Sequence, residues 1–305
     1  MSRDVRDACF ETLYVIAKKD RNVVLLTDDM GAFSLDKFKT DLPGQYFNIG
    51  IAEQNMISVA AGMALAGKRP FLYGISSFMT SRCFEQLKLD VGAMGLPIVI
   101  IGTGSGVAYG SDGPTHHATH DSALLSTIPK LSLYNPVDAN STEAIVDLAY
   151  ASHLPVFIHL EKGTLPDLHV TDEEYIKGLS TVHEGNKVAV LCTGAIIHTV
   201  LSVVDTEVKV VDVYRRYPLN VLGILHTCRR FSSIVTVEEA CACGGLGQQV
   251  KNILFATKGH KVVVSLSFPD THIPECGSRE YLYRCYDMDA ASISKVITKL
   301  KKRGC

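Results

Sequence analysis

Apolar and polar positions along this chain alternate between two spacings, one helical and one strand-like. Val5, Cys9, Leu13 and Ile16 recur three or four residues apart, so residues 3–19 read as an amphipathic helix. Val23-Val24-Leu25-Leu26-Thr27 follows as a continuous apolar run, the pattern of a strand buried on both faces. Asp28-Asp29-Met30-Gly31 then reads as a loop. Further strands are predicted at 70–73, 97–102, 131–134 and 155–160. Between them fall a small-residue helix over 58–67, a helix through Arg82–Leu89, and a helix opened by Asp138-Ala139-Asn140-Ser141-Thr142-Glu143. The last of these begins with residue types that cap helix N-termini. From Gly163 to about Gly185 the periodicity breaks and charge rises at Asp167, Asp172, Glu173 and Glu174, which predicts a linker. A second series of apolar runs follows at 187–192, 208–213, 233–237 and 261–265, and the chain ends in an amphipathic helix near Ala291–Lys301. Short apolar runs separated by helices predict α/β architecture, a mainly parallel sheet with helices on both faces. The expected domains are 1–165 and 186–305, joined by a linker over 166–185.

With 305 residues, 47% apolar and 20% charged, the chain can bury two sizeable cores. A net charge of -2 argues against nucleic acid or an anionic membrane surface as the main partner. No apolar run is long enough to span a membrane, and the charged N-terminus lacks a signal-type apolar core. The cysteines are scattered, odd in number, and form no Cys-x-x-Cys, so reduced thiols in a cytoplasmic protein are expected. No ligand spacing supports a metal site in this chain.

Several segments could carry chemistry. In Phe47-Asn48-Ile49-Gly50-Ile51-Ala52-Glu53-Gln54, a carboxylate stands where a short turn runs into a helix. It reads either as a helix-dipole partner or, among apolar neighbours, as a tuned acid-base group. Gly110-Ser111-Asp112-Gly113-Pro114-Thr115-His116-His117, with Asp121 beyond, places two imidazoles and a carboxylate on a rigid loop suited to proton transfer near neutral pH. Ser76-Ser77-Phe78-Met79 puts an aromatic ring just after a strand, where a flat heterocycle could stack. Glu161-Lys162-Gly163 follows the last strand of the first domain, at the strand ends where open parallel sheets bind ligands. Gly244-Gly245-Leu246-Gly247 opens a helix but lacks the P-loop lysine, so it reads as tight helix–sheet packing.

The Glu53 segment and the Gly-Ser-Asp-Gly-Pro-Thr-His run resemble the signatures of the transketolase family. The His116-His117 pair looks closest to 1-deoxyxylulose-5-phosphate synthases, and Glu238-Glu239 with the Gly-Gly-Leu-Gly run resembles the family's C-terminal domain. The resemblance implies a thiamine-diphosphate pyrimidine-binding domain followed by a transketolase C-terminal domain. It implies that Glu53 hydrogen-bonds the aminopyrimidine N1′ and favours the imino tautomer that deprotonates the thiazolium. Phe78, Ile51 and Asp29 join Glu53 as the implied cofactor-binding set. Asp112, His116, His117 and Lys162 are the implied substrate-binding set, with His116 also catalytic.

The family's metal and diphosphate signature, Gly-Asp-Gly followed by Asn, is missing here. The resemblance therefore implies a C-terminal subunit of a split enzyme, with an N-terminal partner holding the diphosphate through Mg²⁺ or Ca²⁺ and an α2β2 assembly. The expected reaction moves a two-carbon ketol unit between a ketose and an aldose. Gly104 stands where ordinary transketolases have a substrate-contacting histidine, and Lys162 where an arginine is common, so the sugar or sugar phosphate stays open. Two alternatives also stay open: half of a decarboxylating thiamine enzyme, either synthase-like or a 2-oxo-acid dehydrogenase beta subunit, and a non-catalytic assembly partner.

Overall fold

The computed structural model describes residues 3–32, 34–168, 175–255 and 261–302. The stretch 169–174 of the expected linker, with Asp172, Glu173 and Glu174, lies outside the described residues. Contacts divide the chain into two compact units, Met1–Ser105 with Leu124–Glu173, and Gly106–Ala123 with Glu174–Cys305.

The first unit opens with α1 (Val5–Lys19), whose N-cap Asp4 accepts from the Arg6 amide and whose buried face carries Val5, Cys9, Leu13 and Ile16. Then come β1 (Val23–Thr27), α2 (Leu35–Asp41), β2 (Tyr46–Asn48), α3 (Glu53–Leu65) and β3 (Arg69–Ile75). The helix expected through Arg82–Leu89 is instead two stretches of widened helical turns, Phe78–Arg82 and Leu87–Ala93, around the single turn α4 (Phe84–Gln86). Such widened turns break the regular helical ladder and recur at functional sites. β4 (Val99–Thr103), β5 (Ser132–Tyr134), α6 (Ala139–Ala151) and β6 (Val156–Leu160) follow, with α5 (Asp121–Leu125) straddling the point where the chain returns from the second unit. The start of α6 is a capping box: Asp138 accepts from the Ser141 amide at 2.6 Å and Ser141 Oγ accepts from the Asp138 amide at 3.1 Å.

The strands of this unit run parallel in the order β5-β6-β4-β3-β1-β2. From β1 the chain moves outward to β2 and then returns across β1 to β3. The strand order thus reverses between β1 and β3, and the crevice at their carboxyl ends is where such sheets bind ligands. Arg69, at the start of β3, is buried and donates to the carbonyls of Pro97 (2.5 Å), Ala149 (2.6 Å), Tyr150 (2.9 Å) and Ser152 (2.6 Å). It closes the C-terminus of α6, where exposed carbonyls favour a cation.

The second unit holds β7 (Ser180–His183), β8 (Val188–Thr193), α7 (Ile196–Leu201), β9 (Val208–Asp212), β10 (Arg215–Tyr217), α8 (Val221–Cys228), β11 (Ser233–Cys241), α9 (Leu246–Phe255), β12 (Val262–Phe268), α10 (Arg279–Cys285) and α11 (Ala290–Lys301). Its sheet has the order β12-β11-β8-β9-β7, parallel except for the antiparallel edge strand β7. β7 lies within the stretch read as linker; its half-exposed Ser-Thr-Val-His sequence carries no apolar run to announce it. At the start of α9, the Leu246 and Gly247 amides donate to Glu238 at 2.6 and 2.8 Å, so a carboxylate of this chain already fills the place a phosphate would take. Gly247 is pressed against the sheet, where an added Cβ would sit 2.3 Å from Ser265 Oγ.

Arg69→Met should leave four carbonyls without their donor and lower unfolding stability by about 3 kcal/mol. Urea denaturation checks this; a loss below about 1 kcal/mol would show that the guanidinium does not tie α6 to the sheet.

Candidate active site

Three loops from the carboxyl ends of β1, β2 and β3 meet in the first unit. Gly50 supplies the turn out of β2 with φ +77°, its amide bonded to Asn48 Oδ1 at 2.9 Å. The chain then enters α3 at Glu53, and Ala52 at the N-cap offers no side-chain cap. Glu53 therefore supplies the negative charge that the exposed amides of this helix start favour. It is 2% exposed. Among the described residues one cation faces it: Arg82 Nη1 lies 2.5 Å from Glu53 Oε1, and the Arg82 side chain is 44% exposed. The same guanidinium lies over the half-buried Phe78 ring, 4.0 Å from its centroid. Carboxylate, cation and aromatic face thus form one assembly at the crevice.

Asp28, the residue after β1, is 5% exposed. Its Oδ1 has no hydrogen-bond partner among the described residues. Its Oδ2 would lie 2.4 Å from a Cβ at Gly74, so a larger residue there would have to displace the carboxyl. Burial first, and the Glu53 charge second, push the Asp28 carboxyl up to about 6. Asp29 is exposed, adopts a left-handed φ of 71° and accepts from Asn48 Nδ2 at 2.8 Å. Ile51, between β2 and α3, is 77% exposed. Lys162 is exposed after β6, next to the buried Glu161, which accepts from the Ser105 hydroxyl.

The second unit carries the Asp112–His117 loop, within Gly106–Ala123. Glu239 anchors its start: Oε2 accepts from the Val107 amide at 3.3 Å, while Arg279 donates to both carboxylate oxygens at 2.9 and 2.6 Å. Gly106, at φ +57°, lies so close to Glu239 that a Cβ would meet its Cβ at 2.5 Å. Further along, the Cys241 amide donates to Thr119 O at 2.8 Å and the Gly277 amide to Gly110 O at 3.0 Å. Asp112 is exposed, and His116 packs edge-on against Tyr109 with Nδ1 2.9 Å from Thr115 Oγ1. His117 is half-buried, and burial lowers its pKa, opposed by backbone hydrogen bonds to Gly110 and Ile273.

Glu53, Phe78, Asp29 and Ile51 are therefore gathered around the β1–β3 switch point, whereas Asp112, His116 and His117 share the second unit's loop. The structure adds Asp28 and Arg82 to this crevice, neither of which was a candidate from sequence. The signal for Asp28 was an Asp-Asp pair directly after a buried strand. Among the described residues no cluster of His, Cys, Asp or Glu is arranged to hold a metal, and no helix is long and apolar enough to cross a membrane.

The profile described as "Transketolase, pyrimidine binding domain" matches residues 1–167, and "Transketolase, C-terminal domain" matches 178–293. The chain belongs to the transketolase family. It is 30% identical to an apulose-4-phosphate transketolase subunit of Phocaeicola vulgatus, over 98% of this chain and 97% of that protein. It is 28% identical to the 6-deoxy-6-sulfo-D-fructose transketolase subunit SqwH of Clostridium sp. (strain MSTE9), over 98% and 95%. It also aligns at 31% identity with the 1-deoxy-D-xylulose-5-phosphate synthase of Acidovorax ebreus, there covering 46% of the longer protein. Among solved structures, a split gene transketolase described as an inactive beta4 tetramer superposes with TM-score 0.86 at 26% identity, each chain covered completely. The two-sheet α/β fold of transketolases is thus the fold of this chain.

The raised Asp28 pKa has a sign that can be read in stability. Below about pH 4 the carboxyl is protonated whether folded or unfolded. As pH rises toward 6 the unfolded chain ionises first, so folding loses stability and the loss levels off above 6. Asp28→Asn should therefore stabilise the chain by ~2 kcal/mol at pH 8 and hardly at all at pH 4. Thermal melts of both proteins across that range check it; an equal effect at both ends would refute the buried ionisation.

Proposed function

We propose that this chain is the C-terminal subunit of a split, thiamine-diphosphate-dependent transketolase that moves a two-carbon ketol unit from a ketose to an aldehyde acceptor. The observation that carries the proposal is the Glu53 carboxylate, buried at a helix start beside the Phe78 ring in the β1–β3 crevice. These residues suit the aminopyrimidine half of the cofactor: a carboxylate for a ring nitrogen, a flat ring for a stacking face, and a glycine, Gly74, where a side chain would crowd the crevice. The cofactor supplies the carbon nucleophile. Glu53 orients the ring and holds a proton at its N1′; Phe78, Ile51 and Asp29 position it. Asp112, His116 and His117 bind substrate hydroxyls, and His116 moves protons at the reacting oxygen.

The missing Gly-Asp-Gly signature and the near-complete coverage of two relatives that are themselves subunits support a separate N-terminal subunit. That partner would hold Mg²⁺ or Ca²⁺ and the diphosphate, within an α2β2 assembly in the cytoplasm. The same two relatives carry the names of a phosphorylated and a sulfonated ketose. An anionic ketose fits Lys162, a point charge at the strand ends. The likeness to 1-deoxy-D-xylulose-5-phosphate synthase supports one second reading, in which the same groups serve a decarboxylating reaction.

Purified chain, N-terminal subunit, thiamine diphosphate and Mg²⁺ should together transfer ketol units, and the chain alone should not. Glu53→Gln should lower kcat at least about 100-fold while leaving assembly intact. Full turnover by that variant, or by the lone chain, would overturn the proposal; CO2 release from a 2-oxo acid donor would establish the second reading instead.

A further inference from the structure

Asp28 has no place in the chemistry proposed so far, yet the structure accommodates it at a cost. A carboxyl group with one oxygen unpartnered and 5% residue exposure is unfavourable to bury. The sheet gives up a side chain at Gly74 to make room for it, and Met79 closes the same space, its Sδ 2.8 Å from where a Cβ at Gly74 would stand. The charged groups around it are few. α3 contributes Glu53, whose negative charge opposes ionisation of Asp28. The wide turn after β3 contributes Arg82, already engaged by Glu53. β3 contributes no charge at Gly74, and the neighbouring Asp29 is exposed and bonded to Asn48. Among the described residues the crevice therefore contains two buried carboxyls and one cation.

We infer that Asp28 is a positioning residue for Glu53, and that its ionised form supplies the second negative charge that draws a proton onto the contact between Glu53 and the aminopyrimidine ring nitrogen. This rests on the role proposed above for Glu53. With Glu53 and Arg82 alone the crevice is neutral, and a proton on the ring nitrogen would leave one positive charge beside them without a partner. With Asp28 ionised, two carboxylates face one guanidinium and one protonated ring nitrogen, and the charges cancel. The proton comes from solvent and no other bond changes. Asp28 acts only through charge and touches no reacting atom. When Asp28 is protonated in mild acid, this support is withdrawn.

The direct test is carboxyl ¹³C NMR of the full chain as a function of pH. Asp28 should titrate near pH 6 in the native chain and about one pH unit lower in Glu53→Gln. An Asp28 midpoint in the ordinary carboxylate range, or one unmoved by Glu53→Gln, would sink the coupling whatever the enzyme does. In the assembled enzyme, kcat should fall on an acid limb near pH 6. Asp28→Asn should abolish that limb and lower kcat about tenfold at neutral pH, with donor KM unchanged. Asp28→Ser replaces it if the asparagine variant does not fold. A pH profile identical to wild type in the variant would overturn the inference. An assembly without ketol transfer in any variant would instead overturn the proposed function, and the NMR titration would still decide whether the two carboxyls are coupled.

Discussion

One buried carboxylate sets the terms for the first unit. Glu53 is held out of water at the first turn of α3, and everything near it compensates for that position. The helix start supplies oriented amides, Arg82 supplies a cation at 2.5 Å, and Phe78 supplies a ring face on which the guanidinium rests. The wide turns between Phe78 and Ala93 interrupt what would otherwise be an ordinary helix, and Phe78 and Arg82 are the two ends of the first of them. The interruption and the charge pair belong to the same solution.

The second unit uses the same materials to a different end. Glu238 accepts from two amides at the start of α9 and lies 3.6 Å from the buried Arg216, so its charge is fully engaged. Glu239 grips Arg279 with both oxygens and the Val107 amide with one. The partners of these two carboxylates come from the unit itself: Arg216 is fully buried, and the Arg279 side chain is 19% exposed. Glu53 has a partner whose side chain is 44% exposed. That contrast in partners sets Glu53 apart from two buried acids that look alike in sequence.

Much of this was legible from the chain alone. The strands with continuous apolar runs, β1, β4, β6, β8 and β9, and the helices with amphipathic spacing, α1 and α11, fall where their patterns place them. The capped start of α6 was readable from Asp138 and Ser141. Two short strands were not: β2 and β7 are partly exposed, so no hydrophobic run marks them. The wide turns after β3 also left no trace, because Arg82, Phe84 and Leu87 satisfy helical spacing as well as they satisfy the observed backbone. Within the site, Glu53 and the Asp-Gly-Pro-Thr-His run were visible as motifs. Asp28 was not, since its meaning depends on Gly74 and Glu53, which are remote in sequence and meet it only in the sheet.

The loop that carries Asp112 and His116 lies between two strands of the first unit, yet it is built into the second through Gly106, Glu239 and Arg279. The chain thus enters its second unit, leaves it, and enters again. Severing the polypeptide near the linker would not yield two self-sufficient pieces. The N-terminal fragment would keep the loop's sequence but lose the carboxylate and guanidinium that give it shape. For a protein proposed to work as half of a divided enzyme, this marks a limit to further division: the gene that encodes this half cannot be split again at its domain boundary without disassembling the loop of Asp112 and His116.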